Sequence, residues 1–239
     1  MLLAACQHDV AGTSGAFYNW DDRKVHCAID LDDYANVDLA SVESGLARAR
    51  DRGEVVELYA HDPGNTVSWE KLESVLAAID SAGLPYFTYA DFAHGVTPAA
   101  GVALSFDDAY IDHWLSGNEL YARYGARLTF FIAYADGITS EQWASLHELA
   151  RLGHVIEAHS RKHLRAPAYV EEHGLAAYVS DEAEPSIAAL RAQGFDVTTY
   201  AYPYGSRTNE LDRELLERVS LVRSVSYTWS SIATDPCPH

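Results

Sequence analysis

The chain has 239 residues, 48% of them hydrophobic, and a formal net charge of −18 at pH 7. This length suits one large α/β domain or two small ones, and the apolar fraction is sufficient for an extensive core. The negative charge argues against nucleic acid or an anionic membrane surface as a partner, because both bind basic patches. No stretch of 18 or more apolar residues occurs, so the sequence predicts no membrane-spanning helix.

The N-terminus contains a pattern typical of exported lipoproteins. Leu3-Ala4-Ala5-Cys6 resembles a bacterial lipobox, in which small residues precede a cysteine that becomes lipidated. Only five residues precede Cys6, fewer than the roughly 7–15 apolar residues of a signal peptide, so the signal is truncated here or the match is accidental. We expect residues 1–24 to form an N-terminal tail on an exported, periplasmic or cell-envelope lipoprotein. Cys27 and Cys237 remain as a possible disulfide, which exported proteins retain, or as two unpaired thiols.

Beyond residue 24, short apolar runs alternate with amphipathic stretches. The apolar runs predict strands at residues 25–29, 55–59, 85–89, 102–106, 128–132, 154–157, 197–201 and 221–225. The amphipathic stretches predict helices at residues 42–50, 69–82, 141–152, 182–193 and 210–219. Ser68 and Ser140 are expected as helix N-caps. Glycines follow four of the predicted helices, where a C-cap belongs: Gly53, Gly83, Gly153 and Gly194.

The repetition of strand and helix predicts a parallel sheet covered by helices. Seven or eight such units favour an α/β fold of the distorted (β/α)7–8 barrel type, as a single domain over residues 25–239. Catalytic groups of barrels lie at the C-terminal ends of the strands. Five polar residues lie just past four of the predicted strand ends, and we expect them to share one site: His61, Asp107, Asp108, His159 and Tyr204.

Two of these fragments carry metal chemistry. Asp107 and Asp108 end one apolar run, and His159 and His163 lie four residues apart after another. One carboxylate and two neutral imidazoles make a three-ligand set that leaves a divalent metal open to water, as catalytic zinc sites require. The second carboxylate can then act as the general base that takes a proton from that water. The pattern predicts a hydrolase.

Three segments together resemble the polysaccharide deacetylases, the NodB-homology or carbohydrate esterase family 4 proteins. Ser105-Phe106-Asp107-Asp108 resembles their first motif, usually Thr-Phe-Asp-Asp-Gly, and His159-Ser160-Arg161-Lys162-His163 matches their second, His-Ser/Thr-x-x-His. Tyr202-Pro203-Tyr204-Gly205 resembles their third, usually Arg-x-Pro-Tyr-Gly. The three occur in the family's order between residues 105 and 205.

The resemblance implies a role for each matching residue. Asp107 would be the general base, and Asp108, His159 and His163 would hold a divalent metal, with Zn²⁺ expected. A backbone N–H near Tyr204 would help to hold the oxyanion, an interaction worth on the order of 3 kcal/mol per donor. The implied reaction is hydrolysis of an N-acetyl group on a hexosamine-containing polysaccharide or peptidoglycan. An O-acetyl esterase acting on a xylan-type polymer, or an inactive carbohydrate-binding relative, remains as an alternative.

The family's catalytic-acid histidine normally follows the third motif, near the C-terminus. Here the passage that resembles this region stands before the first motif: a strand and His61, the helix at residues 69–82, Gly83 and a short strand at residues 85–89. We interpret this as a circular permutation, in which residues 25–92 correspond to the family's C-terminal part and residues 101–227 to its N-terminal part. A remnant of a tandem copy is the alternative. In the permuted domain His61 would be the general acid, and a disulfide between Cys27 and Cys237 would tie the new ends together.

The chain also departs from the family pattern. Ala109 replaces the glycine of the first motif, and Ala201 stands where many members carry an arginine that contacts the catalytic aspartate. Another group must then hold Asp107, and the sequence offers three candidates without choosing between them: Arg161, Arg165 and Arg207. The aspartate and tryptophan that orient the acid histidine have no clear match, with Asp30, Asp32 and Asp33 nearest. Several aromatic residues could stack on sugar rings or pack in the core: Trp20, Tyr110, Trp114, Tyr134 and Trp143.

Overall fold

In a computed structural model, residues 9–227, 232 and 234–238 are described. They contain nine strands: β1 (Phe17–Tyr18), β2 (Val25–Asp30), β3 (Val55–Ala60), β4 (Tyr86–Phe87), β5 (Gly101–Asp108), β6 (Thr129–Ile132), β7 (Val155–Ala158), β8 (Thr199–Ala201) and β9 (Leu221–Val225). They also contain ten α-helices: α1 (Leu39–Arg52), α2 (Trp69–Ala82), α3 (Tyr89–His94), α4 (Ile111–Ser116), α5 (Asn118–Arg123), α6 (Ser140–Arg151), α7 (Ala166–His173), α8 (Leu175–Tyr178), α9 (Glu184–Ala192) and α10 (Asn209–Leu215). Within these residues no helix is both long and apolar enough to cross a membrane.

Seven parallel strands close into a barrel, in the order β3-β2-β9-β8-β7-β6-β5. β5 completes the ring by pairing with β3 over six residue pairs, from Val55–Gly101 to Ala60–Phe106. The predicted (β/α) barrel is confirmed, with seven strands in the ring. The run at residues 85–89 shrinks to β4, which pairs only with the start of β5 and lies outside the ring, while β1 pairs antiparallel with β3.

The alternation of side chains along each strand decides what faces the helices and what faces the barrel interior. Along β5, Val102, Leu104 and Phe106 join the main hydrophobic cluster, which also includes buried residues of the surrounding helices. Because successive side chains point to opposite faces of a strand, the intervening Ser105 and Asp107 face the interior. The strand therefore delivers a buried carboxylate to the C-terminal mouth of the barrel.

The predicted helix caps are confirmed at α1 and α2, whereas α6 and α9 have Leu152 and Gln193 at the C-cap, one residue before the predicted Gly153 and Gly194. The Ser68 side chain accepts a hydrogen bond from Lys71 N and caps α2. Gly53 and Gly83 end α1 and α2 in the left-handed conformation, which a residue without Cβ adopts freely. At α6 the prediction of Ser140 is wrong, because Thr139 forms a reciprocal capping box with Gln142 and leaves Ser140 inside the helix.

Part of the segment predicted as an N-terminal tail is built into the fold. Val10 and Phe17 are buried in the main cluster, and β1 extends the edge of β3. Cys6 and the other lipobox residues lie outside the described residues.

The two ends of the described chain meet on one side of the barrel. β2 pairs with β9 from Val25–Val222 to Ala28–Val225, and the predicted disulfide between Cys27 and Cys237 is present. The C-terminal residues 234–238 lie against the loop after β8, where Thr234 Oγ1 donates to Gly205 O at 3.1 Å. We call the boundary between β9 and β2 the seam, because these neighbouring strands are far apart in the sequence.

Candidate functional site

Asp108, His159 and His163 form a compact group with metal-ligand character. One ligand atom from each lies within 4.8 Å of the others, and both imidazole Nε2 atoms face Asp108 Oδ1, at 3.1 Å from His163 and 3.6 Å from His159. Ligand atoms around a tetrahedral zinc ion lie roughly 3–4 Å apart, given metal–ligand bonds of about 2.0–2.2 Å. Asp108 Oδ1 is buried and has no well-aligned hydrogen-bond donor among the described residues. The donor set therefore fits a divalent metal.

The electrostatic setting of these residues also suits metal binding. Burial, together with the charge of His163, holds the pKa of His159 well below its usual value, so the ring stays neutral. Its Nδ1 lies 3.0 Å from Ala201 O, which leaves Nε2 free to face a metal. Burial raises the pKa of Asp108, but the interaction with His163 and the charges of His159, His61 and His163 together outweigh it, and the pKa lies below its usual value.

The ligands come from two parallel strands separated by β6. Asp108 is the last residue of β5, and its positive φ of 83° turns the chain away from the sheet. His159 follows β7 directly, and His163 lies on the loop beyond it rather than on a helix. Ser160 and His163 adopt positive φ values of 73° and 58°, which fold the loop back so that the two rings lie 4.9 Å apart.

Asp107 is paired with an arginine, but none of the three predicted candidates supplies it. Arg223 Nη2 donates to Asp107 Oδ1, and both side chains are almost fully buried. The reason lies in the strand register, because Arg223 on β9 pairs with Ala201 on β8, the position where the family motif has its arginine. The guanidinium thus enters the barrel at the same level from the adjacent strand.

The predicted arginines have other partners. Arg161 forms an ion pair with Asp136 near the surface, and the Arg165 guanidinium lies over the ring of Tyr204, 4.9 Å from its centroid. Arg207 is buried and binds the carboxylate of Asp212. Sequence reasoning missed Arg223 because the register between β8 and β9 is not visible in the sequence.

His61, directly after β3, is held by one of the three predicted aspartates. Asp32 Oδ2 lies 2.5 Å from His61 Nδ1, and Asp32 Oδ1 accepts a hydrogen bond from His61 N. Burial lowers the pKa of His61, but the bond to Asp32 and the charges of Asp107, Asp32 and Asp108 raise it to about 9. Burial, followed by the charge of Asp32, raises the pKa of the neighbouring Asp30 to about 6.

The third predicted aspartate and the tryptophans are placed as follows. Asp33 accepts a hydrogen bond from Ser68 N and does not contact His61. Trp114 is fully buried and donates to His61 O at 2.8 Å, so it supports the histidine backbone instead of offering a sugar platform. Trp20 packs against Phe87, and Trp143 packs against Phe195. Sequence reasoning missed the contact of Trp114, since α4 and the end of β3 are more than 50 residues apart.

The loop after β8 carries Tyr204 beside the ligands. Residues Pro203–Gly205 form a tight turn in which Tyr204 has a φ of 60°, and its ring lies 4.7 Å from that of His163. A Cβ on Gly205 would lie 2.3 Å from Val225 Cγ2, and φ there is 64°, so only glycine fits. The turn is thereby pressed against the end of β9.

One cavity of about 350 Å³ brings the predicted site together. Its lining includes all six predicted site residues: His61, Asp107, Asp108, His159, His163 and Tyr204. Tyr34 and Tyr110 also line it, and with Tyr134 and Tyr204 they are among the exposed large side chains. The three candidate metal ligands, a buried carboxylate held by arginine, and a histidine held by aspartate therefore face the same space.

The family model for polysaccharide deacetylases matches residues 94–221, more than half of the chain. The chain belongs to the polysaccharide deacetylase family. This assignment indicates a hydrolase, from a family that is generally metal-dependent. No curated protein matches the chain significantly.

Solved structures with the same fold include several deacetylases. The Streptococcus pyogenes deacetylase PplD in complex with acetate is 14% identical, with 72% of this chain and 91% of that chain covered and a TM-score of 0.56. IcaB from Ammonifex degensii is 18% identical, with 77% and 91% covered and a TM-score of 0.58. A de-N-acetylase from Aggregatibacter actinomycetemcomitans is 16% identical, with 71% and 87% covered and a TM-score of 0.59. At these identities the similarity shows the fold.

Proposed function

We propose that this protein is a metal-dependent deacetylase that hydrolyses N-acetyl groups on a hexosamine-containing polysaccharide or peptidoglycan. The observation that carries the proposal is the single cavity in which a three-ligand metal group, a second carboxylate and a protonatable histidine meet. The fold shared with a de-N-acetylase supports the N-acetyl group as the bond that is attacked.

Asp108, His159 and His163 would hold the metal, with Zn²⁺ as the expected ion. When bound, the ion would polarise the acetyl carbonyl and make a water molecule more acidic. A hexosamine would have to enter with its acetyl group facing Asp107 and the three candidate metal ligands, which line the same cavity. The cavity, with exposed tyrosines among its lining residues, leaves room for one sugar unit at the ligands and for neighbouring units outside.

The protein's own residues would then move the protons. Asp107, held by Arg223, takes a proton from the water while the oxygen of that water bonds to the acetyl carbon. A backbone N–H of the turn that carries Tyr204 stabilises the oxyanion. His61, kept protonated by Asp32, gives a proton to the amine as the carbon–nitrogen bond breaks. The products are acetic acid, which ionises to acetate, and a free amino sugar. Asp107 then releases the proton it took and His61 regains one, so atoms and charge balance.

Two aspartate variants and metal analysis test this assignment. We expect purified protein to bind about one Zn²⁺ per chain and to release acetate from N-acetylglucosamine oligomers or peptidoglycan. Asp107→Asn should abolish acetate release and keep the metal, whereas Asp108→Asn should lose both. Asp112→Asn, an exposed change on the same stretch of chain, is the control. Loss of the metal from Asp107→Asn would show that the two roles are reversed. Acetate release from acetylated xylan alone would replace the N-acetyl proposal with the esterase.

We also infer that the domain is circularly permuted relative to the family order. The family model begins at residue 94, just before β5, and β2 and β3 fill the gap in the ring between β9 and β5. Placing β2 and β3 after β9 would restore a continuous order around the barrel.

A re-permuted chain tests this inference. It would start in the exposed loop at residue 96, join residue 238 to residue 9 through a flexible linker, and end at residue 95. We expect it to fold and to release acetate like the parent. The control is a chain permuted at another exposed loop. If the control folds and the re-permuted chain does not, the inference is contradicted.

Export to an oxidising compartment is a further proposal. It is supported by the disulfide between Cys27 and Cys237, a bond that persists in exported proteins and is rare in the cytosol. A lipid anchor at Cys6 stays a prediction, and mass spectrometry of the membrane fraction of the source cells would test it.

A further inference from the structure

The loop that carries the two histidine ligands adopts a conformation that its own sequence does not favour. Ser160 and His163 both have positive φ, at 73° and 58°. A residue with a Cβ costs roughly 1–2 kcal/mol in this region relative to the right-handed conformation. Two such residues within four positions persist only if surrounding groups hold them in place.

Glu182 makes three hydrogen bonds to the residues between the two histidines. Its carboxylate Oε2 accepts from Ser160 Oγ at 2.6 Å and from Lys162 N at 2.8 Å, and its backbone oxygen accepts from Arg161 N at 3.1 Å. Ser160 is fully buried and Glu182 is 1% exposed, so water does not replace these bonds freely. One residue from a distant helix therefore fixes three consecutive positions of the loop.

Glu182 lies in an irregular turn of the helical segment that follows α8. Val179–Ala183 form a single π-helical turn between α8 and α9, and Glu182 lies within it. Such turns contain an extra residue in an otherwise α-helical run and are frequent at functional sites. The neighbouring Asp181 is exposed and accepts a hydrogen bond from Tyr169, so only one of the two adjacent carboxylates points at the loop.

We propose that Glu182 is a positioning residue for the metal site, acting through Ser160 and Lys162 to set the separation of His159 and His163. The proposal rests on the proposed metal-dependent function. Glu182 is not a member of the candidate ligand group, and its hydrogen bonds go to the residues between the two histidines, so its effect is geometric. Groups that orient metal ligands typically contribute 10–100-fold to metal affinity.

The test is zinc affinity measured by competition with a chromophoric chelator, on the full chain with its disulfide intact. Glu182→Ala should weaken zinc binding by about 10–100-fold. Glu182→Gln can place its amide oxygen at the position of Oε2 and should stay within about threefold of the parent. Ser160→Ala removes one of the two hydrogen bonds to the Glu182 side chain, so its zinc affinity should lie between those of Glu182→Gln and Glu182→Ala. The double variant with Ser160→Ala and Glu182→Ala should bind zinc no more weakly than Glu182→Ala alone. Asp181→Ala removes a carboxylate from the same turn and should leave affinity unchanged.

The outcomes separate this inference from the proposed function. Parent protein that binds zinc, with Glu182→Ala binding it equally well, would overturn the positioning role alone. Equal losses in the glutamine and alanine variants would also overturn it, because a charge effect would then replace the geometric one. Parent protein that binds no zinc would overturn both. Thermal melting of the metal-free proteins, together with the glutamine rescue, distinguishes lost positioning from general unfolding.

Discussion

The pairing of His61 with Asp32 gives a prediction with a definite sign. A general acid must be protonated, so the rate should fall as pH rises through its pKa. In the folded protein the pKa of His61 is raised from 6.5 to about 9, and the bond to Asp32 is the largest influence raising it. Asp32→Asn keeps the shape of the side chain while removing its charge, so the alkaline limb of the pH–rate profile should move to lower pH.

The size of the effect follows from the two pKa values. At pH 8 a histidine with a pKa of about 9 is about 90% protonated, whereas one with a pKa of about 6.5 is about 3% protonated. The variant should therefore lose up to about 30-fold in rate at pH 8 and less than about twofold at pH 6. Asp107 and Asp108 still act on His61 in the variant, so 30-fold is an upper bound. A metal at Asp108 would lower the pKa of His61 in the parent and in Asp32→Asn alike, so the test is the difference between the two proteins.

The assay is acetate release, with kcat/KM measured between pH 5.5 and 10 under metal saturation. Asp33→Asn is a matched control, because its carboxylate binds Ser68 N and not His61. An equal loss for Asp32→Asn at pH 6 and pH 8 would show that Asp32 only orients the ring. An unmoved alkaline limb with no loss of rate at either pH would refute the assignment of His61 as the acid.

Three further predictions concern the rest of the site and the fold. Arg223→Met should lower the free energy of unfolding by about 3–5 kcal/mol in urea titrations, because it leaves the buried carboxylate of Asp107 unpaired. Adding Asp107→Asn to this variant should recover part of the lost stability. A further, additive loss in the double variant would contradict a direct pair. Replacing Cys27 and Cys237 by serine should cost about 2–4 kcal/mol of unfolding free energy with zinc affinity unchanged, and unchanged stability would count against the disulfide as a clamp. Zinc at a hundredfold its Kd should raise the unfolding free energy by about 2.7 kcal/mol, and an equal rise in Asp108→Asn would place the metal elsewhere.

The sequence predicted those features that depend on local pattern. The apolar runs placed the barrel strands within a few residues, and the position of Asp107 and His159 at strand ends followed from them. The partner of Asp107 was missed, because Arg223 reaches it through a register between two strands. The role of Glu182 was missed for a related reason, since its bonds to Ser160 span 22 residues and depend on one π-turn.

The proposed metal ligands and the residues that support proton transfer lie on different sides of the barrel, and only the latter lie at the seam. The three proposed metal ligands lie at the ends of β5 and β7, on the opposite side of the ring, while Arg223 lies on β9 and Asp32 just beyond the end of β2. Both side chains that support the proposed proton-transfer residues thus lie beside the seam, where the disulfide of Cys27 is also located. We expect a barrel that opened locally at this boundary to keep the proposed ion and to lose the proposed hydrolysis. In this protein the loss of catalysis should precede the loss of the metal as the fold loosens.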